Sequence, residues 1–462
     1  MSSDSQDVLG RIEEHKEGYL EDLKEYLRIP SVSTDPAHKE DVLRCSDFVV
    51  AQLTQAGLTA ERIETEGNPL VYAEWIGAGS DKPTILFYGH YDVQPADPLE
   101  EWNSPPFEPT VEDDLLIARG ATDDKGQSLA HIKAVEAMLQ ERGALPINVK
   151  FVLEGEEEVG GEALEKFVRE DAGQRLAADA VVVSDSSMFA PGQPSLLYGL
   201  KGMAYMEIQV TGPNRDLHSG SFGGGVTNPA NALCHIVARL LDAKTGRVLI
   251  PGFYDDVLDL EDWEREEFAA LPFDEEAYKA ELGIEALSGE EGYTTLERVW
   301  ARPTCDVNGL FSGYQGEGAK TIIPGQAGAK VSMRLVPNQD PETVGKQFED
   351  YVKEIAPQGV TVKVSAIHGA QAVLVDIKGA IADAAMAAQE DIWGARPVRI
   401  REGGSIPIVG TFSDVLKVPT LLMGFGLPDD RLHSPNEKFN ISHFYNGIRT
   451  IVRLIDRVGD TT

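Results

Sequence analysis

The stretch T-I-L-F-Y-G-H-Y-D-V, residues 84–93, decides the fold class. Its first half is β-branched, aliphatic and aromatic, the composition of a strand buried on both faces. Its second half turns polar, with His90 and Asp92 two positions apart and so on one face of an extended chain. Two further apolar runs end in acid, I-N-V-K-F-V-L-E-G-E-E-E (147–158) and A-V-V-V-S-D-S (180–186). Helical spacing over 11–28, carried by Ile12, Tyr19, Leu20, Leu23 and Leu27, and a helix predicted over 126–142 accompany these strands. Continuous apolar strands interleaved with helices argue for an α/β sheet covered on both faces. Ligands in such sheets bind beyond the carboxyl ends of the strands. His90, Asp92, Glu157, Glu158 and Asp185 all fall there.

Outward from this core the pattern changes near residue 200. A-Y-M-E-I-Q-V-T (204–211) alternates like a half-buried antiparallel strand, and 228–243 reads as a helix. A strand at 329–336, a helix at 341–355 and a strand at 360–366 complete a small α+β domain. After 374 the first pattern returns, with a helix at 379–393, a strand at 419–426 and a helix at 443–457. One domain is therefore inserted into another: residues 1–202 and 371–462 form the larger and 203–370 the insert. Gly199, Gly202 and Gly369 lie near the crossings, where they could act as hinges. An acidic segment, roughly 252–302, has no role that its composition assigns.

A chain of 462 residues exceeds what one core usually serves, in keeping with two domains. Lys and Arg number 41 against 76 Asp and Glu, a formal charge of -35 that repels phosphate backbones and anionic lipids. Neither nucleic acid nor a membrane is an expected partner. Cys45, Cys234 and Cys305 are too few and scattered for a disulfide framework and read as packing residues. The start, M-S-S-D-S-Q-D-V-L-G, lacks the basic region and apolar run of a signal peptide, and no apolar stretch is long enough to span a bilayer. The expected location is the cytoplasm.

The polar residues at the strand ends carry chemistry when taken together. His90 can bind a metal through one ring nitrogen, with Asp92 close enough to hold its tautomer. Alone, such a pair is more often a surface feature. R-G-A-T-D-D-K-G (119–126) reads as a turn between strand and helix, where Asp123 and Asp124 taken alone read as capping carboxylates. E-G-E-E-E-V-G (154–160) packs four carboxylates into five positions at a strand terminus, an arrangement that a cation relieves. Asp185 ends its strand similarly, and His433 sits in the loop G-F-G-L-P-D-D-R-L-H-S-P-N-E-K (424–438). Two histidines among several carboxylates suit two borderline divalent ions, zinc or manganese. The set is too poor in nitrogen for copper and too rich in it for magnesium or calcium.

These motifs resemble, in order and over nearly the whole chain, those of the metallopeptidase family that includes carnosine dipeptidases, glutamate carboxypeptidase, acetylornithine deacetylase and succinyl-diaminopimelate desuccinylase. G-H-Y-D-V-Q-P (89–95), G-A-T-D-D-K-G (120–126), L-E-G-E-E-E (153–158), S-D (184–185) and the His433 loop carry the resemblance. R-D-L-H-S-G, A-K-T-I-I-P-G, R-E-G-G-S-I-P and H-S-P-N-E-K are most similar to cytosolic nonspecific dipeptidases. The resemblance implies a catalytic α/β domain whose mixed sheet is covered by helices, interrupted by a smaller α+β lid and dimerisation domain. It implies that Asp123 bridges two ions, with His90 and Asp185 on one and Glu158 and His433 on the other. Glu157 would be the general base and Asp92 would orient His90. Of the triplet Glu156–Glu158 only an adjacent pair is needed, and the register of Gly160 selects the last two. The Asp123–Asp124 peptide is expected to be cis. His218 is expected to serve the active site of the partner subunit in a homodimer.

Arg334, on a strand of the insert, can fork onto a substrate carboxylate, although a surface salt bridge is the plainer reading of an isolated strand arginine. Thr321, Gly404 and Ser405 match family positions that line the substrate pocket. The expected activity is metal-dependent hydrolysis of dipeptides. Same-class alternatives are an N-acyl-amino-acid deacylase or a carboxypeptidase. A catalytically inactive binding relative is the different-class alternative, and no expected ligand position is missing here.

Overall fold

The computed structural model describes residues 3–171 and 174–461. The chain divides into two compact units, Met1–Tyr198 with Val375–Ile400 and Ile408–Thr462, and Gly199–Leu374 with Arg401–Pro407. The short excursion 401–407 is where the observed division departs from a single insertion, because the G-G-S turn associates with the second unit.

In the first unit the apolar runs form a mixed sheet. Strand Thr84–His90 lies at its centre, parallel to Asn148–Glu154 on one side and to Ala180–Val183 on the other. Thr420–Leu422 extends the parallel set beside Ala180–Val183. Leu70–Trp75 and Thr59–Ile63 close one side in antiparallel pairing. The central strands are buried along nearly their whole length, which is why their sequences do not alternate. Phe87 and Phe151 stack with ring centres 5.0 Å apart in the same core as Leu129, Val135 and Ile451 of the covering helices. The helix predicted over 126–142 is Lys125–Arg142 and is buried through its first fourteen residues. Its entry demands glycine at 126, where a Cβ would stand 2.1 Å from the Ala121 carbonyl oxygen.

The second unit holds a four-stranded antiparallel sheet in the order Asp306–Ser312, Gln326–Leu335, Gly202–Thr211, Thr361–Ala370. Strand Gly202–Thr211 alternates buried and exposed positions, and helices Pro229–Val237 and Pro341–Ile355 pack into the core of this unit. The helix read over 228–243 stops at Val237. Beyond it the Asp242 carboxylate accepts the Lys244 and Thr245 N–H groups at 2.8 and 3.0 Å, which captures the backbone in a turn despite its helical spacing. Cys234 is exposed on that helix, so it is not a packing residue as Cys45 and Cys305 are. The acidic segment folds into helices Asp262–Ala270, Glu275–Leu282 and Thr295–Ala301. Part of its acid is spent on capping: Glu261 with Glu264, Asp274, and Thr294 with Glu297 satisfy helix N-termini. Among the described residues no helix is long and apolar enough to cross a membrane.

Candidate metal centre

The parallel strands of the first unit deliver their polar ends to one place. His90 is the last residue of its strand and fully buried. Its Nε2 lies 3.1 Å from Asp123 Oδ1 and 3.9 Å from Asp185 Oδ2. His433 Nε2 lies 3.0 Å from the other Asp123 oxygen, Oδ2, and 3.3 Å from Glu158 Oε2. Two donor sets result, His90–Asp123–Asp185 and Asp123–Glu158–His433, each with its ligand atoms within 4.8 Å of one another. The nitrogen and oxygen donors, one imidazole and two carboxylates per set, fit divalent ions of the zinc or manganese kind.

The electrostatics describe a site in need of positive charge. Burial pushes the Asp123 carboxyl up, but hydrogen bonds to His433 and His90 outweigh it and hold the group below the usual carboxylate range. Burial, joined by Asp185 and Glu158, raises Glu157 well above that range. Burial and then Asp185 do the same to Asp124. Asp124 spends Oδ2 on the His90 N–H at 3.2 Å, while its buried Oδ1 has no hydrogen-bond partner. His433 is driven up to about 10 by its hydrogen bonds to Asp123 and Glu158.

Asp92 acts more broadly than its sequence spacing suggests. Its carboxylate accepts the Glu157 and Glu158 N–H groups, both at 3.2 Å, and so fixes the turn that follows strand Asn148–Glu154. His90 Nδ1 meets the Asp92 carbonyl at 3.1 Å and its carboxylate at 3.4 Å. Glu156 is engaged elsewhere, accepting the Asn68 N–H at 2.7 Å, and it belongs to neither donor set. The Asp123–Asp124 peptide is cis. His433 lies in a loop with positive φ at Arg431, His433 and Asn436, a tight path that residues 427–437, which include no glycine, do not announce.

Sequence reasoning missed two contributors to this site. Glu437, fully buried, accepts Arg119 Nη1 at 2.7 Å and the N–H groups of Gly120, Thr122 and Asp123 at 2.9, 3.0 and 3.1 Å. It thereby clamps the turn that carries Asp123 from the loop that carries His433. Gln94 donates to Glu158 Oε2 at 2.7 Å. Both stand inside quoted motifs, N-E-K and V-Q-P, so the signal was present but had no geometry attached.

In the second unit, Arg334 is half-buried and donates weakly to Ser405 Oγ at 3.4 Å. No carboxylate among the described residues pairs with it, so the surface salt bridge is not what it forms. The Gly404 carbonyl accepts the Lys201 N–H at 3.0 Å. His218 pairs with Ile322 across a two-stranded ladder, and the Thr321 carbonyl accepts the Ser219 N–H at 3.1 Å, which makes His218 and Thr321 neighbours. His218 is exposed, and its Nδ1 accepts the Gly220 N–H at 3.0 Å, leaving Nε2 to carry the ring proton outward.

A hydrolase that works with two divalent cations is the class that this sheet and its paired donor sets define. The chain belongs to the peptidase family M20/M25/M40, which its residues 86–457 match. It is 34% identical to the Cys-Gly metallodipeptidase dug1 of Schizosaccharomyces pombe, over 95% of each chain. The solved structure of the dipeptidase Dug1p from Saccharomyces cerevisiae superposes with a TM-score of 0.87 at 30% identity, covering 100% of this chain and 99% of that one. A metallo-carboxypeptidase of the same family from Sulfolobus solfataricus is similar as well, with a TM-score of 0.86, 33% identity and coverage of 96% and 99%. The chain is a metallopeptidase with dipeptidase relatives.

Proposed function

We propose that this chain hydrolyses the amide bond of dipeptides at a pair of divalent cations, zinc or manganese. One observation carries the reading: Asp123 offers Oδ1 toward His90 and Oδ2 toward His433, the arrangement of a bridging carboxylate. His90, Asp123 and Asp185 would hold one ion, and Asp123, Glu158 and His433 the other. The bound pair supplies Lewis acidity for the scissile carbonyl and lowers the pKa of a water. Glu157, adjacent to the ligands but in neither donor set, takes the proton from that water and delivers it to the leaving amine. Asp92 holds both His90 and the Glu157–Glu158 turn in place.

Arg334, with no carboxylate partner among the described residues, takes the C-terminal carboxylate of the substrate, with Thr321, Gly404 and Ser405 lining the pocket. The two units divide the labour between metal binding and substrate recognition, and the second joins two chains into a homodimer. The three cysteines, all unpaired, suit a cytoplasmic protein. The similarity to a metallo-carboxypeptidase supports a second reading, in which longer peptides are trimmed from the carboxyl end. One dipeptide in free, N-acetylated and C-amidated form, offered to chelated protein with zinc or manganese restored, separates these readings. A dipeptidase cleaves the free form best. Preference for the N-acetylated form indicates a deacylase or carboxypeptidase, and no metal-dependent turnover at all would sink the proposal.

A further inference from the structure

Lys201 closes the strand-to-strand junction G-L-K-G-M and is 2% exposed. A buried ammonium is costly unless its three donors are satisfied and its charge is met. Here Nζ has one hydrogen-bond partner among the described residues, the Arg298 carbonyl at 3.0 Å, near the end of helix Thr295–Ala301. No carboxylate among the described residues forms an ion pair with it. Arg334 lies on the neighbouring strand, opposite Met203 in the ladder. Lys201 immediately precedes the strand that begins at Gly202, and Arg334 is the nearest charge to act on it. The Lys201 backbone N–H meanwhile holds the Gly404 carbonyl at 3.0 Å, and Arg334 reaches Ser405. Two desolvated cations, neither with an ion-pair partner among the described residues, therefore flank one glycine-serine turn, in a chain whose formal charge is -35. Both feel the loss of solvent. Burial, then Arg334, with Arg302 adding and only Asp306 opposing, brings Lys201 down to about 7.

We propose that Lys201 is a second carboxylate-binding cation, which takes the C-terminal carboxylate of the substrate together with Arg334. The inference rests on the reading of Arg334 as a carboxylate site. It also gives the acidic segment a task. The carbonyl of Arg298 fixes the ammonium, and Glu264 on helix Asp262–Ala270 pairs with Arg401 at the base of the Gly403–Ser405 turn. Two ammonium donors remain for a ligand, and a carboxylate supplies both acceptors and the missing charge.

The test compares Lys201→Met, Lys201→Arg and Arg334→Ala in the metal-loaded enzyme, with free and C-amidated forms of one dipeptide. Lys201→Met removes a buried cation at similar volume, so folding is preserved. Loss of one charge-assisted contact raises KM for the free dipeptide roughly ten- to a hundredfold, with kcat little changed. The C-amidated form is unaffected, and Lys201→Arg restores most of the loss. The parent also loses affinity for the free dipeptide above about pH 7 relative to Lys201→Arg, as the lysine sheds its proton. The charged groups facing it are Arg334, Arg302 and Asp306. The amino group of the substrate titrates equally in both comparisons and cancels. An unchanged KM in Lys201→Met while Arg334→Ala raises it would overturn the role of Lys201, as would equal losses on both substrates or superimposable pH profiles. If Arg334→Ala also leaves the preference for a free carboxylate intact, the carboxylate reading of the second unit fails instead.

Discussion

Asp123 gives one oxygen to each histidine, and the group that uses this geometry is the neighbouring Glu157, held by Asp92 through the backbone of its own turn. Replacing Glu157 with Gln keeps the shape of that turn and every ligand atom. Both metals should therefore remain bound, by metal analysis of the purified protein, while kcat falls by at least about a hundredfold as proton transfer is lost. Loss of a metal, or near-normal turnover, would move the base to another carboxylate. Arg334→Ala should raise KM for free dipeptides through loss of a charge-assisted contact worth about 2–3 kcal/mol and leave C-amidated ones almost untouched; equal damage to both would make it structural. At this scale the strand ends were legible, because the period of two sets His90 beside Asp92 before any coordinates exist. Asp123 was not, since an acidic residue at a helix entry is ordinarily a cap. Lys201 was hidden more deeply: one lysine after a strand carries no pattern, and only its burial without an ion-pair partner among the described residues gives it meaning.

Helix Lys125–Arg142 and the loop 427–437 bring the ligands together, and each contains a group that makes a measurable demand on stability. His131 is buried against Phe87, with its Nε2 2.7 Å from Ser184 Oγ, and burial pushes it down to about 3. Above pH 6.5 the ring is neutral in both folded and unfolded chains and costs nothing. Between 6.5 and about 3 only the unfolded chain takes up the proton, so stability falls as pH falls, by up to about 1.4 kcal/mol per pH unit. His131→Gln should flatten the acid side of the urea-unfolding profile by that slope; an unchanged profile would mean that another group sets it. Glu437 makes the opposite case. Removing it leaves Arg119 buried and unpaired beneath the Asp123 turn, and Glu437→Ala should lose about 3–5 kcal/mol in urea denaturation of the chelated protein. The helices at 126–142 and 341–355 could be read from periodicity alone, within a residue at each end, whereas the central strands begin with their apolar runs and stop three or four residues before the quoted stretches do, at His90, Glu154 and Val183. Helix 228–243 could not be bounded, because the Asp242 side chain competes for backbone N–H groups that periodicity assigns to the helix.

At the scale of the whole molecule, the question is whether one chain is a complete enzyme. His218 stands on the second unit, exposed, beside Thr321, with Nδ1 engaged by the Gly220 N–H. That bond fixes the tautomer, so Nε2–H is a ready donor with nothing in its own loop to receive it. A donor so placed suits the oxyanion that develops as water attacks an amide, a contact whose loss costs about 10²–10³ in rate. The reading as a homodimer, with each His218 serving the metals of its neighbour, has a direct test. His218→Ala alone should be nearly inactive, and Glu157→Ala likewise. Co-expressed and purified as the mixed dimer, the two variants leave one site with an intact base and an intact His218 from the opposite chain. That site should recover about half of the parent activity per dimer, since the second site lacks both groups. A mixed dimer as inactive as its parents would mean that His218 acts within its own chain or takes no part in catalysis. A monomer in sedimentation that retains full activity would remove the exchange altogether, and with it the reason for an exposed histidine at this position.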